Sequence, residues 1–504
     1  MSVHWPIIRQ LLSSPRREVI VDDRRAYRAA EILVGALHIA EEVSRRSSAR
    51  TLGVLLPTSG VFPMALLAGW MLGRTVVPLN YLLKPEELRF VIDDCETDCV
   101  VTVGPMLDFL RSSHKEDGAA VPGALSKVAD NLVRLDALDF AGAPALRWPA
   151  LAHDEDLALL LYTSGTSGRP KGVMLTHGNI GANIAQIREW VEFTRDDVLA
   201  GVLPQFHTFG LTALTLLPLT AGCKVVYTAR FVPAKIVQLI REHRATALIA
   251  IPSMYNALLQ VKSATAEDFA SLRYTVSGGE PLPSAVFDGF RERFGVTLNE
   301  GYGLTETAPV ANWCRPHEWR RHSVGRALPR IVERIVDPET GRDLPPGRDG
   351  EVRIKGPNVM RGYFKRPEET AAAFDEHGFL RTGDIGRMDG DGHLYITGRL
   401  KEMLIVGGEN VFPREIEEVL NRHPAIKESG VVGVMDEIRG ELPVAYVEVR
   451  EGATFDEKDV LRFCREHLAG YKVPRHVRVL DALPRNPTGK VMRRELKNLA
   501  AQGG

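Results

Sequence analysis

Over the first two-thirds of the chain, short apolar runs alternate with helix-length amphipathic segments. Thr51–Leu56 reads as a strand, Phe62–Gly73 as a helix and Thr75–Pro78 as the next strand. Pro85–Asp94 reads as a helix and Cys99–Val103 as another strand. The continuous apolar run Leu157–Leu161 predicts a buried strand, and Gly172–Leu175 a second short one. Lys224–Tyr227, Ala247–Ile251 and Tyr274–Val276 continue the series, separated by helix-length segments. Short β-branched runs alternating with helices predict parallel sheets covered on both faces. Ligands in such folds bind beyond the carboxyl ends of the strands. The loop Thr163–Lys171 after Leu157–Leu161, Ser277-Gly278-Gly279 and Gly301-Tyr302-Gly303 all follow expected strands, so they are expected to line one crevice.

From Arg330 the texture changes. Ile331–Val336 and Glu351–Lys355 alternate like short strands and are joined by the turn-rich Pro338–Gly350, which predicts a small antiparallel β subdomain over about 325–398. Near Gly398 a new unit begins, with a helix at Arg414–Asn421, strands at Ser429–Val434 and Val444–Val449, and a helix at Asp456–His467. A chain of 504 residues is too long for one typical domain. The expected fold is α/β: a large N-terminal domain of doubly wound sheets over 1–400, including the β subdomain, and a smaller α+β C-terminal domain over 401–504.

Composition narrows the function. A net charge of −1 argues against a nucleic-acid binder, which carries a basic excess. Five cysteines, with Cys95 and Cys99 lacking a second pair at zinc spacing, read as reduced thiols of a cytoplasmic protein. Met1–Arg9 has no apolar core of a signal peptide. Leu199–Cys223 holds no Asp, Glu, Lys or Arg, but Pro204, Pro218 and its three glycines fit a buried strand, a loop and a core helix better than a membrane span. A peripheral membrane contact is the minor reading of this stretch. Nothing fixes the oligomeric state; a homodimer is one option.

The chemistry concentrates first in Tyr162-Thr163-Ser164-Gly165-Thr166-Ser167-Gly168-Arg169-Pro170-Lys171. Hydroxyls, glycines and a lysine on a strand end make a phosphate cradle, because glycine lets backbone N–H groups approach an anion and the lysine adds charge. It is not a Walker A loop, since Pro170 precedes the lysine and Gly172 follows it.

The run resembles that of the adenylate-forming superfamily of acyl-CoA synthetases, luciferases and peptide-synthetase adenylation domains. The resemblance extends over nearly the whole chain, through further motifs in the same order. It implies that Ser277-Gly278-Gly279-Glu280-Pro281 meets adenine. It also implies that Glu300-Gly301-Tyr302-Gly303-Leu304-Thr305-Glu306 completes the nucleotide site, with Tyr302 on the base, Thr305 on phosphate and Glu306 on Mg²⁺. Thr382-Gly383-Asp384 supplies a carboxylate for the ribose, and Arg399 reaches ribose or phosphate. Lys401 falls at the hinge, and Gly407-Gly408 belongs to the loop that swings in for the CoA step, so the C-terminal domain is expected to be mobile. Lys490, in Pro484–Lys490, matches the catalytic lysine that bridges the substrate carboxylate and the α-phosphate. Thr163, Glu306 and His207 join it in the expected catalytic set. The segment Leu203–Leu211 resembles an acyl-pocket wall, giving His207, Phe209, Gly303 and Pro309 as pocket residues. Trp313 is bulkier than the family pattern and is expected to shorten or reshape the acyl tunnel.

The implied activity is an acyl-CoA synthetase that uses ATP, Mg²⁺ and CoA on a small-molecule carboxylic acid. A fatty acid is the first expectation, from the long apolar continuation to Leu219 and the lack of an acid to meet a substrate ammonium. An aryl acid is the alternative substrate, and a carrier-protein phosphopantetheine the alternative acceptor.

Overall fold

The computed structural model describes residues 2–116, 119–163, 169–436, 440–485 and 491–502. The apolar runs become the central strands of two sheets because each is covered by helices on both faces. In the seven-stranded sheet the order is Gly362–Tyr363, Lys171–Thr176, Leu157–Thr163, Thr75–Pro78, Thr51–Leu55, Val100–Thr102 and Leu132–Arg134. Leu157–Thr163 and the four strands after it run parallel. Lys171–Thr176 turns back antiparallel on Leu157–Thr163, and Gly362–Tyr363 adds antiparallel to its outer edge.

The nine-stranded sheet has a parallel centre that includes Val198–Gly201, Ala247–Ala250, Tyr274–Ser277 and Asn299–Gly303. Here the structure corrects the sequence reading. Gly301-Tyr302-Gly303 does not follow a strand; it lies within Asn299–Gly303, kept extended by antiparallel pairing with Val310–Trp313. The parallel expectation holds for the sheet centres and fails at the margins, where Lys171–Thr176, Gly362–Tyr363 and Val310–Trp313 pair antiparallel.

The uncharged stretch enters the fold as strand Val198–Gly201, a loop, and a helical run over 208–221 with a wide π turn at Thr212–Leu216. Leu211, Leu214, Leu216, Leu217 and Leu219 are all buried in the main core. Among the described residues, no helix is long and apolar enough to cross a membrane. All five cysteines are free and buried. Trp313 packs its ring against Phe193, 6.3 Å between centroids, while its carbonyl accepts from Trp190 Nε1. That places its bulk in the core beside the end of helix His177–Trp190.

The β subdomain is an antiparallel sheet of Val332–Val336, Gly350–Lys355, Leu380–Met388 and Leu394–Arg399. Beyond it, Glu409–Val411, Leu404–Val406, Gly440–Val449 and Ile426–Asp436 form a sheet completed by His476–Val479, with helices Pro413–Leu420, Glu457–His467 and Arg493–Gln502. Every residue of the main core lies at or before Leu394, and every residue of the two smaller cores at or after Leu404. A large N-terminal body and a smaller C-terminal one therefore each bury their own apolar surface.

Candidate active site

A cavity of about 340 Å³ opens between the two bodies. Gly279, Glu280, Pro281, Glu300, Gly301, Tyr302, Gly303, Asp384 and Arg399 line it from the N-terminal side, and Arg414, Glu417, Val491 and Arg493 from the other. Four of the motif segments singled out in the sequence thus converge, although they span more than a hundred residues of chain.

Strand register builds the centre of the site. Asp384 and Arg399 stand directly opposite one another on antiparallel neighbours, and Arg399 Nε meets Asp384 Oδ1 at 2.9 Å. The Tyr302 hydroxyl, arriving from the nine-stranded sheet, donates to Asp384 Oδ2 at 2.7 Å. Asp384 is only 2% exposed. Burial and this carboxylate push the Tyr302 phenol far above its ordinary pKa, so it remains a donor. The same carboxylate raises the Arg399 guanidinium. Glu300 is also buried, and burial pushes it up to about 7 against the pull of the Arg414 guanidinium. Gly279 has φ +81°, a left-handed conformation that glycine adopts without strain.

A second group of residues gathers beside the phosphate-loop strand. Thr163 and Lys171 are register partners at the end of the Leu157–Thr163 hairpin, and Lys171 forms an ion pair with Glu369. Glu306 sits in the turn Thr305–Thr307, and its Oε1 accepts from the Tyr363 hydroxyl at 2.9 Å. Thr305 Oγ1 accepts from Thr208 Oγ1 at 3.1 Å, which brings His207 and Phe209 to the same neighbourhood. His207 is exposed, not a core histidine; its Nδ1 caps the short helix Thr208–Leu211 by accepting from the Phe209 N–H at 3.4 Å. Phe209 packs close to Gly278, where a Cβ would come within 3.0 Å of Phe209 Cζ. A Cβ on Gly303 would overlap the Pro309 carbonyl, so those two pocket residues are in tight contact.

Lys401 is exposed on the turn Leu400–Glu402. Gly407 and Gly408, with φ +61° and +88°, form the two-residue turn of a hairpin, and a Cβ on either would meet nothing within 4 Å. They stand away from the cavity, whereas Val491 lines it. Lys490 and the loop residues Ser164, Gly165, Thr166, Ser167 and Gly168 lie outside the described residues; Arg485 and Val491, which bracket the lysine, form an antiparallel bridge.

Sequence reasoning missed Tyr363, Glu369 and Arg493, whereas Arg414 belongs to Pro413–Glu417, which the resemblance had placed in the segment that swings to the active site. Arg493 pairs with Glu402 of the turn Leu400–Glu402 at 3.2 Å and with Glu417 at 2.7 Å. Arg414 donates to the Ile396 carbonyl and pairs with Glu418 at 3.1 Å. None of these partners is adjacent in sequence.

The donor set fits a nucleotide-borne Mg²⁺. Among the described residues no three His, Cys, Asp or Glu side chains cluster as metal ligands would. A single carboxylate beside a phosphate-binding strand is how proteins commonly hold Mg²⁺, with substrate phosphates completing the shell.

With that geometry in view, comparisons with known proteins agree. Residues 14–364 match the AMP-binding enzyme family, and residues 415–490 match the AMP-binding enzyme C-terminal domain. The chain is 38% identical over 457 residues to a sulfoacetate–CoA ligase of Cupriavidus necator, covering 90% of this chain and 88% of that one. It is 39% identical over 355 residues to a long-chain-fatty-acid–CoA ligase of Bacillus subtilis, covering 69% of this chain and 62% of that one. Its fold matches the crystal structure of ATP-bound MatB from Rhodopseudomonas palustris with a TM-score of 0.87 and 34% identity, covering 99% of both chains. The chain belongs to the AMP-binding enzyme family, the adenylate-forming superfamily of its motifs. Within it the protein is an AMP-forming acid–thiol ligase, an ATP-dependent CoA ligase served by ATP, Mg²⁺ and CoA.

Proposed function

We propose that this ligase activates an apolar carboxylic acid, a fatty acid in the first reading. The carboxylate oxygen attacks the α-phosphorus of ATP, the bond to the β-phosphate bridging oxygen breaks, and pyrophosphate leaves. The CoA sulfur, having lost its proton, then attacks the acyl carbonyl carbon and AMP leaves. Tyr302, Asp384 and Arg399 hold the nucleoside end; Lys171, Thr163 and Thr305 meet phosphates. Mg²⁺ held by Glu306 supplies charge neutralisation at the phosphates. Lys490 supplies the cation between the two anionic reactants, a role suited to a compact charge on a flexible stem. His207 and Phe209 border the acid. The boundary between the two bodies falls at 400/401, with Lys401 as pivot. A reaction that consumes ATP and a reduced thiol belongs in the cytoplasm.

The observation that carries the reading is the convergence of Tyr302, Asp384 and Arg399 with Glu300 and Gly279 on one cavity. The apolar acid is supported by the wall near His207, which comes from a stretch without a formal charge. The buried leucines of that stretch are accounted for by the core, so they do not measure substrate length. An aryl acid is the second reading, favoured by the aromatic ring of Phe209 beside Gly278. Pyrophosphate release from a panel of acids, each with and without CoA, is the test. For a fatty acid, kcat/KM should rise about fourfold per CH₂ through the medium chain lengths, from about 0.8 kcal/mol of burial each. A flat series with preference for an aromatic acid selects the second reading. Preference for a small polar acid rejects both.

A further inference from the structure

Two donors reach Glu306 from one short segment. The Tyr363 hydroxyl donates to Glu306 Oε1 at 2.9 Å, and the Met360 N–H donates to the Glu306 carbonyl at 2.8 Å. The segment is part of the phosphate-loop sheet: Gly362 pairs with Met174 and Tyr363 with Val173, on the strand that begins at Lys171. Tyr363 is held on its other sides as well. Its N–H donates to Thr370 Oγ1 at 2.9 Å, and the Lys171 ammonium stands 5.4 Å from the centre of its ring. Lys171 is in turn paired with Glu369 on the helix Pro367–Ala373 that follows. Burial, and then the Glu306 charge, raise the phenol well above its ordinary pKa, so it stays a donor at neutral pH.

We propose that Tyr363 is a positioning residue for Glu306: its hydroxyl engages one carboxylate oxygen, turns the other toward a nucleotide-bound divalent cation, and ties that geometry to the phosphate-loop strand. The proposal rests on the reading of Glu306 as the cation's protein ligand. It gives the Gly362–Tyr363 strand a part in the site. Outer-shell hydrogen-bond partners of metal ligands typically change metal affinity by about 10–100-fold when removed.

The test is Mn²⁺ binding, followed by electron paramagnetic resonance, to the full chain saturated with a non-hydrolysable ATP analogue. Tyr363→Phe keeps the ring beneath Lys171 and removes only the hydroxyl. It should weaken Mn²⁺ binding about tenfold, while metal-free affinity for the analogue, which also reports folding, stays at the wild-type value. In turnover, the Mg²⁺ concentration for half-maximal rate should rise by the same factor. kcat at saturating Mg²⁺ and KM for the acid should stay near wild type. Wild-type Mn²⁺ affinity in Tyr363→Phe overturns the proposal, as does a loss of kcat without a change in metal affinity. Glu306→Gln run alongside separates the two ideas. If it keeps wild-type Mn²⁺ affinity, the metal assignment itself fails. If it loses affinity and Tyr363→Phe does not, only the positioning role falls.

Discussion

At the scale of single residues, Asp384 carries the most. It is buried, and both its oxygens are engaged, by Tyr302 and Arg399. Asp384→Asn keeps the shape and removes the charge, leaving the Arg399 guanidinium without its carboxylate. Charged hydrogen bonds contribute about 1.5–3 kcal/mol, so KM for ATP should rise at least about tenfold, read from pyrophosphate release against ATP concentration. Asp384 and Glu306 could be singled out from sequence only because Thr382-Gly383-Asp384 and Gly301–Glu306 resemble the family's motifs. Tyr363 and Glu369 were not. Gly362-Tyr363 reads as an ordinary turn, and its meaning comes from partners 57 residues away at Glu306 and far earlier at Lys171.

At the scale of elements, Val332–Val336 shows how a strand can carry a conditional cost. Glu333 lies on it, accepting from Asn312 Nδ2 at 3.2 Å, with Oε1 buried and without a hydrogen-bond partner. Burial pushes this carboxyl from 4.5 up to about 7. The folded chain thus binds its proton more tightly than the unfolded chain does. The stabilisation is fully present below about pH 4.5 and is lost as the pH rises through 7. Glu333→Gln cannot ionise. It should be more stable than the wild type at about pH 8 by roughly 2 kcal/mol, and the difference should close toward pH 4.5. Urea unfolding at both pH values checks this. The strand itself was visible in the alternation of Ile331–Val336. The packing of Glu333 against Asn312 was not, because Asn312 lies on the other sheet.

At the scale of the whole molecule, the question is which half-reaction each part serves. Val491 lines the cavity while Gly407 and Gly408 stand clear of it, so this arrangement brings the flank of the Lys490 loop to the nucleotide site and leaves the glycine turn outside. The glycine turn would reach the cavity only by movement of the C-terminal body. Lys490→Ala should cut acyl-AMP formation by about 10²–10³, the effect of removing one positioned electrostatic donor, and should still convert supplied acyl-AMP and CoA to thioester. Lys401→Pro fixes φ at the pivot; it should form acyl-AMP and be slow in thioester formation, because domain movement is a separate step. Measuring both half-reactions in both variants decides the matter. Equal losses in the same half-reaction would remove the two-arrangement mechanism.

What the sequence determined by itself is what local chemistry determines. Short β-branched runs between helix-length segments pointed to strands, and the resemblance of the motifs to the adenylate-forming superfamily pointed to a nucleotide. The division into a large and a small body was legible where one alternating pattern gives way to another. What tertiary structure alone decided are the relations between segments: that Gly301-Tyr302-Gly303 is strand, held extended by Val310–Trp313; that Trp313 packs on Phe193; and that Arg493 lines the cavity between the two bodies. The physical reason is the same in each case. A hydrogen bond or an ion pair needs two groups within a few ångströms, and where the partner lies in another sheet or the other body, only the fold sets the distance.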